Sequence, residues 1–410
     1  MKLESQVKKL RQKHDFKVIA VAGSVGKTST KLAVAQMLGV TEAVRYQDGN
    51  YNDRLTVPLI FFGEHEPSIF NVWAWFRLLR RNARALRKDY PYTYVVVELG
   101  TDGPGQLLDF AYLEPDITVI TAVAAEHMEY FKTLDTVAAE ELSVAKFSKK
   151  LIVNVDDIAA EYLTGKEYVG YALDTTADYR LGELSSGDLH APTAQLNLLG
   201  KNINVQLATI GKQGAKISLA AAAVADQLDY DEVSIQEGLA AIKPVPGRMQ
   251  ILAGKQDGII IDDTYNASPL ATKAALDVLY ATEAPQRIAI LGSMNELGDT
   301  AQKLHEEVGE YCDPKKLAMV VTIGKDAKQY LAPAAEAKGC KVMSFDDPNK
   351  AGAYVAEQLQ PKAVVLAKGS QNGVFAEEAI KKFLANPDDA RKLVRQSGYW
   401  MKIKAKQFPN

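Results

Sequence analysis

The chain is poor in cysteine and histidine, and it lacks a long apolar segment. Two cysteines, Cys312 and Cys340, cannot build a disulfide framework, so we expect a reducing compartment. The five histidines are too scattered to indicate a zinc site. No apolar run reaches the ~18 residues that a membrane-spanning helix needs, and the first residues contain no apolar signal core. These absences predict a soluble protein of the cytoplasm.

An excess of charge of one sign is also missing. Lys and Arg total 48 and Asp and Glu total 51, which gives a net charge of −3. This balance argues against a dedicated nucleic-acid-binding protein, which usually carries a strong basic excess. The apolar fraction of 47% and the charged fraction of 24% are typical of globular proteins and exclude wholesale disorder. At roughly 150 residues per domain, the length of the chain allows two or three domains.

Apolar strand patterns alternate with helical patterns in both halves of the chain. The strand candidates are 16–23, 93–100, 116–123 and 150–157, then 258–263, 287–292, 317–324, 342–345 and 363–369. This alternation predicts an α/β fold with a mostly parallel sheet in each half. Polar–apolar alternation at 166–209 predicts a small antiparallel meander on the first domain. The Pro- and Gly-containing segment 243–248 predicts a joint, so we place the domains at 1–245 and 246–410.

The turn between the first strand and the next helix predicts a phosphate-binding loop. The loop consists of Gly23, Ser24, Val25, Gly26, Lys27, Thr28 and Ser29. Its glycines let backbone N–H groups approach an anion at a helix N-terminus, Lys27 would neutralise phosphate charge, and Thr28 would bind Mg²⁺. Val21 stands where the general pattern has glycine, and the simpler interpretation is an ordinary glycine-rich turn. The loop leaves the sugar and base of the nucleotide open.

Two further polar residues follow strand candidates. Glu98 ends VVVELG, and His127 comes shortly after the next strand. The carboxyl ends of strands in open α/β sheets are where ligands bind, and a hard divalent cation takes oxygen ligands and phosphate. Each residue taken alone is more often structural. Their joint placement beside the loop predicts a Mg²⁺ site formed with Thr28.

Several segments resemble the Mur ligase family, the ATP-dependent amide-bond ligases of cell-wall precursor synthesis and their relatives. The segments are AGSVGKTS, VVVELGTDGPGQL, ITAVAAEHMEYF, PVPGRMQ, IIDDTYNASP and AILGSMNELGD, within about 15–385. The glycine spacing of the family's own loop explains Val21. The resemblance implies a central P-loop ATPase domain followed by a Rossmann-like C-terminal domain. It also implies ATP and Mg²⁺ as cofactors, an acyl phosphate formed from a carboxylate, and its displacement by an amine with release of ADP and phosphate.

The resemblance also implies roles for individual residues. Lys27, Glu98, His127 and Glu141 would form the catalytic set. Arg248 and Asp263 would contact the nucleotide, with Asp263 at the ribose. The residues implied near the substrates are Asn52, Asn266, Lys368 and Ser370. From the residues alone, Arg248 is a solvated joint residue, Asp263 a helix N-cap and Lys368 a capping surface residue.

Three segments depart from the family's motifs. Glu141 stands where many members carry a lysine that is carbamoylated by CO₂. Our hypothesis is that the Glu141 carboxylate replaces this carbamate; the alternative is a solvated glutamate. Gln213, Gly214 and Ile217 replace residues that help to hold adenine, which leaves the base in doubt. In NYNDRLTVP the first asparagine of the family's pattern is kept as Asn52, but the second is replaced.

The start of the chain is the largest departure, because the phosphate loop begins at residue 23 and leaves no room for a UDP-sugar-binding domain before it. We expect addition of D-alanyl-D-alanine or an amino acid to a cell-wall precursor. One alternative is a ligase of another polymer, of the poly-γ-glutamate or cyanophycin type. The other is a catalytically silent nucleotide-binding partner.

Residues 69–92 form an unusual basic insertion. Val72, Phe76, Leu79, Ala83 and Leu86 recur at helical spacing and predict an apolar stripe. Arginines crowd the remaining positions. A basic amphipathic helix can lie on an anionic membrane or receive an anionic lipid substrate. The simpler interpretation is a helix packed on the ATPase sheet with solvated arginines.

Overall fold

The computed structural model describes residues 2–47, 51–125, 128–182, 185 and 192–408. The first half of the chain forms a sheet whose strands are β1 (Lys17–Ala22), β2 (Val44–Arg45), β3 (Tyr94–Glu98), β4 (Ile117–Ile120), β5 (Leu151–Asn154), β6 (Val169–Ala172), β7 (Tyr179–Leu181), β8 (Thr193–Leu198) and β9 (Lys201–Gln206). Its helices are α1 (Lys2–Lys13), α2 (Lys27–Leu38), α3 (Val57–Phe62), α4 (Val72–Ala85), α5 (Met128–Phe131), α6 (Leu134–Glu141), α7 (Ala160–Leu163), α8 (Gly211–Asp226) and α9 (Glu232–Ala241). In the described part of the chain, no helix is long and apolar enough to cross a membrane.

Strand β1 lies inside this sheet and is apolar on both faces. Ile19 and Val21 pack on one face, in the cluster that also contains residues of α2, α8 and α9. Val18 and Ala20 pack on the other face, in the cluster with residues of α1 and α3. Successive side chains of a strand point to opposite faces, so a sheet covered on both sides needs a continuous apolar run. The run at 16–23 therefore predicted the covered sheet correctly.

The strand order is β2-β3-β1-β4-β5-β6-β7-β8-β9, and the pairs from β2 to β7 are parallel. The antiparallel part consists of β8 and β9, which continue the edge of the same sheet. The expected meander at 166–209 is therefore smaller than predicted, because β6 and β7 join the parallel part. The carboxylate of Asp178 accepts a hydrogen bond from the Gly170 N–H at 2.7 Å and ties these two short strands together.

The second half of the chain forms another sheet. Its strands are β10 (Gln250–Ala253), β11 (Ile259–Asp263), β12 (Arg287–Gly292), β13 (Met319–Ile323), β14 (Val342–Phe345) and β15 (Val364–Lys368), in the order β10-β11-β15-β12-β13-β14. The helices are α10 (Pro269–Ala281), α11 (Ala301–Tyr311), α12 (Ala332–Ala337), α13 (Pro348–Gln358), α14 (Glu377–Ile380) and α15 (Gly398–Gln407). All pairs are parallel except β10 with β11, and β10 is a strand that the sequence patterns missed. The α/β fold class is confirmed.

Helix α4 corrects one prediction. The expected apolar stripe is present but is not the buried face of the helix, because Val72 and Phe76 are 75% and 50% exposed while Leu78 and Asn82 are buried. The helix is rotated so that Asn82 donates a hydrogen bond to the Gln6 side chain of α1 at 3.2 Å. The first part of the predicted stripe therefore faces solvent, while Leu86 near its end packs partly buried against the core.

Candidate nucleotide and substrate site

A cavity of about 570 Å³ lies where the carboxyl ends of the two sheets face each other. Residues 24–29 of the phosphate loop line one wall, and Asp263, residues 265–268 and Lys368 line the other. Polar side chains that follow parallel strands meet at one edge of a sheet, which is where open α/β folds bind ligands. The volume is within the range of small-molecule sites.

The phosphate loop has the backbone shape that an anion site requires. Gly23 and Gly26 adopt φ values of +114° and +88°, a backbone conformation that residues other than glycine rarely adopt. The first backbone hydrogen bond of α2 is donated by the Thr30 N–H to the Gly26 carbonyl at 2.9 Å. The amides of residues 27–29 therefore precede the hydrogen-bonded turns of the helix and point out of its N-terminus. Lys27 lies on the cavity wall, with its ammonium 3.1 Å from the Ser24 carbonyl. The loop is thus a helix N-terminus with donors beside a lysine.

Glu141 contacts the loop from behind. It ends α6, is 4% exposed, and its Oε2 accepts a hydrogen bond from the Gly23 N–H at 2.7 Å. The alternative of a solvated glutamate is therefore wrong. The Gly23 amide is bound to this carboxylate and the Ser24 amide to the Ala122 carbonyl at 2.9 Å, so neither of these two amides is available to an anion. Glu141 is not among the residues that line the cavity, so the geometry favours an action through the loop backbone.

Glu98 and Thr28 both line the cavity, and His127 lies outside the described residues. Glu98 is 2% exposed; its Oε1 accepts a hydrogen bond from the Asn52 amide at 3.3 Å. Its Oε2 has no hydrogen-bond partner and lies 3.5 Å from the ammonium of Lys31, a fully buried residue that sequence reasoning missed. Lys31 follows Lys27 by one helical turn, a spacing that could have drawn attention to it.

These residues fit a hard divalent cation. A buried carboxylate oxygen without a hydrogen-bond donor and a neighbouring hydroxyl are ligands of the type that Mg²⁺ takes. Within the ranges that the structure describes, no group of three acidic, cysteine or histidine side chains could hold a metal alone. Most of the coordination shell of such a cation would therefore come from phosphate and water.

Arg248 reaches from the second half of the chain to the phosphate loop. Its Nη2 donates a hydrogen bond to Thr28 Oγ1 at 3.3 Å, and its guanidinium lies 4.1 Å from the ring centre of Tyr265. Its Nε is buried without a hydrogen-bond partner. Arg248 is thus a held cation in the cavity wall and not a solvated joint residue. Sequence reasoning missed Tyr265, which lies between the candidate residues Asp263 and Asn266. An aromatic ring at such a position can stack on a cation, and this could have drawn attention to it.

Asp263 and Lys368 form a buried ion pair opposite the phosphate loop. They are register partners of β11 and β15, and Lys368 Nζ lies 2.6 Å from Asp263 Oδ2. Lys368 also donates to the Asn266 carbonyl at 2.8 Å, while Asp263 Oδ1 accepts from the Met249 N–H at 3.1 Å. Neither residue has the helix-capping role that the residues alone suggested, because Ser268 caps α10.

Asn52 and Asn266 line the cavity, but Ser370 does not. Ser370 is 1% exposed; its hydroxyl donates to the Ala267 carbonyl at 3.3 Å and accepts from the Asn295 N–H at 2.9 Å. It therefore holds the backbone next to Asn266 in place.

Asp262 lies behind this wall, next to Asp263. Complete burial raises the pKa of its carboxyl from 3.8 to about 7, because hydrogen bonds from Thr264 only partly offset the loss of water and Glu377 adds repulsion. Its Oδ1 accepts hydrogen bonds from the Thr264 N–H at 3.1 Å and the Thr264 hydroxyl at 2.6 Å. Its Oδ2 has no hydrogen-bond partner. In the described part of the chain, no cation pairs with the Asp262 carboxyl, which lies behind the ion pair of Asp263 and Lys368.

Comparison with known families matches both halves of the chain. The Mur ligase middle domain matches residues 21–225, and the Mur ligase, glutamate ligase domain matches residues 247–371. The chain belongs to the Mur ligase family. Members of this family are ATP-dependent, ADP-forming ligases, and this chain is an enzyme of that class.

Named relatives share most of the chain's length. It is 29% identical over 391 residues to the UDP-N-acetylmuramoyl-tripeptide–D-alanyl-D-alanine ligase of Synechocystis sp., covering 92% of this chain and 77% of the relative. The enzyme of that name from Haemophilus influenzae is 28% identical over 389 residues, covering 88% and 76%. The MurF ligase from Thermotoga maritima in complex with ADP has the same fold, with a TM-score of 0.76 and 23% identity over 95% of this chain and 84% of that one.

The remaining end of the cavity in this Mur ligase is mostly apolar. Gln213, Gly214 and Ile217, the replaced positions, all line it at the start of α8. A Cβ at Gly214 would lie 2.8 Å from Thr209 Cβ, so close packing requires glycine there whatever the ligand. The replacement at 214 therefore follows from the backbone, and Gln213 is a polar side chain with which α8 lines this end of the cavity.

Proposed function

We propose that this Mur ligase joins a carboxylate of a cell-wall precursor to the amine of D-alanyl-D-alanine or an amino acid, with ATP converted to ADP and phosphate. The observation that carries the proposal is the cavity in which the phosphate loop faces the Asp263–Lys368 pair. The printed names of the relatives support the choice of pathway.

The phosphate loop, Gly23 to Ser29, holds the nucleotide phosphates in this proposal. The ammonium of Lys27 and the amides of residues 27–29 stabilise negative charge on the transferring phosphoryl group. Glu141 positions the loop by fixing the Gly23 amide. The hydrogen bond from Arg248 to Thr28 supports a guanidinium placed near the same phosphates.

Thr28 and Glu98, with His127, would hold Mg²⁺. Held there, Mg²⁺ would supply positive charge that offsets the negative charge of the nucleotide phosphates. The carboxylate oxygen of Glu98 without a hydrogen-bond partner supports its part in this site.

The opposite wall holds the ribose and the reacting groups. Asp263 accepts from the ribose, while Asn52, Asn266 and Lys368 face the acid and the amine, with Ser370 positioning the backbone near Asn266. The acid's oxygen attacks the γ-phosphorus and the bond to the ADP oxygen breaks, which gives an acyl phosphate. The amine nitrogen then attacks the acyl carbon, expels phosphate and loses a proton. A closed cavity protects the acyl phosphate from water.

We place the domain boundary between residues 245 and 246, which falls in the gap between the two matched ranges. We also propose that the enzyme works in the cytoplasm, where its nucleotide is supplied. Two cysteines that are buried as free thiols support a reducing compartment.

The test is ADP release with Mg²⁺-ATP, a UDP-muramoyl tripeptide and D-alanyl-D-alanine. We expect turnover that requires both acid and amine, together with formation of the amide. Lys27→Met should reduce the rate by about a hundredfold or more, because it removes a charge from the transferring group. Lys212→Met is the matched control, since Lys212 is 62% exposed and pairs with the exposed Asp174.

Other results would separate the alternatives. Turnover with glutamate or another amino acid and a different acid, but not with this pair, would overturn the cell-wall assignment and keep the ligase class. Tight nucleotide binding without ADP release under any acid–amine pair would indicate the silent partner and overturn the proposal.

A further inference from the structure

The turn before α4 and its first turns expose five large apolar side chains. Ile69, Phe70, Val72, Trp73 and Phe76, which we call the apolar tip, are 66%, 88%, 75%, 74% and 50% exposed. Single exposed apolar residues are common, but a contiguous group of this size indicates an interaction surface. Trp73 and Phe76 are in edge contact, with ring centres 6.4 Å apart. The tip therefore forms one coherent apolar surface.

The opposite face of α4 is fixed to the rest of the protein. Leu78 and Asn82 are buried, and the Leu79 carbonyl accepts a hydrogen bond from Gln6 of α1 at 2.9 Å. The Asn71 side chain caps the helix by accepting from the Ala74 N–H at 3.0 Å. At about 100° per residue, Trp73 points about 180° away from Asn82. The apolar tip thus lies on a held helix and faces away from the protein.

A row of cations continues from the tip. Arg77, Arg80 and Arg84, which we call the arginine row, are exposed and fall within about 60° of one another around the helix. No carboxylate in the described ranges forms an ion pair with them, whereas the neighbouring Arg81 pairs with Glu64. The Arg80 guanidinium lies 5.6 Å from the Phe76 ring centre, which joins the row to the tip. The outer face of α4 therefore combines apolar and cationic groups.

The combination of apolar and cationic groups indicates which kind of partner binds the outer face of α4. A second copy of the chain would bring the same arginines against the row, and like charges repel. A bilayer with anionic lipids matches both parts, since its acyl boundary accepts apolar side chains and its phosphates accept guanidinium groups. We propose that α4 docks this enzyme on the surface of an anionic membrane, with the apolar tip inserted and the arginine row in the headgroup layer. The proposal is independent of the substrate of the ligase.

The dimensions agree with this orientation. Eleven residues separate Trp73 from Arg84, about 16 Å along a helix axis. Interfacial helices bury their apolar groups roughly 5–10 Å deep. If the N-terminal end of α4 lies deeper in the bilayer than its C-terminal end, the apolar tip is buried and the arginine row lies among the lipid phosphates.

The experiment is co-sedimentation of the full chain with vesicles of phosphatidylcholine, with and without phosphatidylglycerol. We expect binding to the anionic vesicles, weakened by added salt. Changing the row to glutamine at all three positions should weaken binding about a hundredfold, at roughly fivefold per arginine. Lys402→Gln/Lys406→Gln, on exposed positions of α15, is the matched control and should bind as the unchanged protein does.

The tip is tested separately. Phe70→Ser/Trp73→Ser should abolish sedimentation, while Val233→Ser, which changes a residue 61% exposed on α9, should not. In a Trp75→Phe/Trp400→Phe background, the emission of Trp73 should move to shorter wavelength on anionic vesicles only. ADP binding measured on each variant confirms that it is folded.

Three outcomes would overturn the proposal. They are absence of vesicle binding by the unchanged protein, equal binding to neutral and anionic vesicles, and a dimer in solution that Phe70→Ser/Trp73→Ser converts to monomer. The last result would assign the tip to a contact between copies of the chain.

Discussion

Replacing Asp262 with asparagine should stabilise this protein at alkaline pH. The Asp262 carboxyl is fully buried, and its pKa is raised from 3.8 to about 7 by burial. Asparagine keeps the oxygen that accepts hydrogen bonds from the N–H and hydroxyl of Thr264. It also removes the charge that the carboxyl acquires at high pH. Oδ2 has no hydrogen-bond partner, so its exchange for an amide nitrogen breaks no hydrogen bond in the structure.

The magnitude follows from linkage. Below pH 3.8 the carboxyl is protonated in both the folded and the unfolded chain, so its titration costs no stability. As the pH rises from 3.8 to about 7, the unfolded chain ionises first and the folded protein loses up to about 4 kcal/mol of unfolding free energy. About 3 kcal/mol of this loss falls between pH 5 and pH 8. The Asp262→Asn variant cannot undergo it.

The assay is urea unfolding at pH 5 and pH 8 in a Trp73→Phe/Trp75→Phe background, followed by the fluorescence of Trp400, which packs on Phe375. We expect the advantage of Asp262→Asn over the unchanged protein to grow by about 3 kcal/mol between the two pH values. Asp257→Asn, at an exposed position of the same half, is the control and should show no such growth. An effect of Asp262→Asn that is the same at both pH values would refute the argument.

Two further substitutions probe the loop and the C-terminal charge cluster. Gly23→Ala should lower the free energy of unfolding by about 3 kcal/mol and weaken ADP binding in calorimetry, because the new Cβ would lie 2.4 Å from Thr121 Oγ1 at a φ of +114°; unchanged ADP affinity would contradict this. Lys404→Met should lower the free energy of unfolding in urea by about 3 kcal/mol, because the ammonium lies 2.7 Å from Glu377 and 2.6 Å from Glu378 and offsets the repulsion between these two buried carboxylates, which Arg395 on Glu377 only partly relieves. If Lys404→Met/Glu378→Gln is no more stable than Lys404→Met, repulsion between the buried carboxylates is not the cause.

The position of the Glu141 carboxylate gives the phosphate loop an unusual electrostatic setting. A buried carboxylate behind the loop would repel a phosphate placed directly against it, but its hydrogen bond to the Gly23 amide disperses that charge. The ammonium of Lys27 on the cavity side provides the opposite charge for the anion. The Glu141 carboxylate therefore fixes the backbone of the loop, and the Lys27 ammonium supplies positive charge on the cavity side.

The sequence by itself determined the order and type of most elements and the place of the phosphate loop. Buried parallel strands need continuous apolar runs, and this requirement is local, so runs such as 16–23 could be read directly. The glycines and Lys27 could be recognised because the conformation of a phosphate loop depends on neighbouring residues. The joint predicted at 243–248 rests on the same kind of local signal, the proline and glycine residues of that segment.

Only the tertiary structure decided which side chains meet. The pairing of Asp263 with Lys368 depends on the register of β11 and β15, which are 105 residues apart in the chain. The burial of Glu141 depends on α6 reaching the back of the loop, and the outward face of α4 depends on the burial of Leu78 and Asn82 on its inner face. Such contacts arise from packing between distant segments. Periodicity along one segment cannot encode them, because it records only that a face is apolar and not what will cover it.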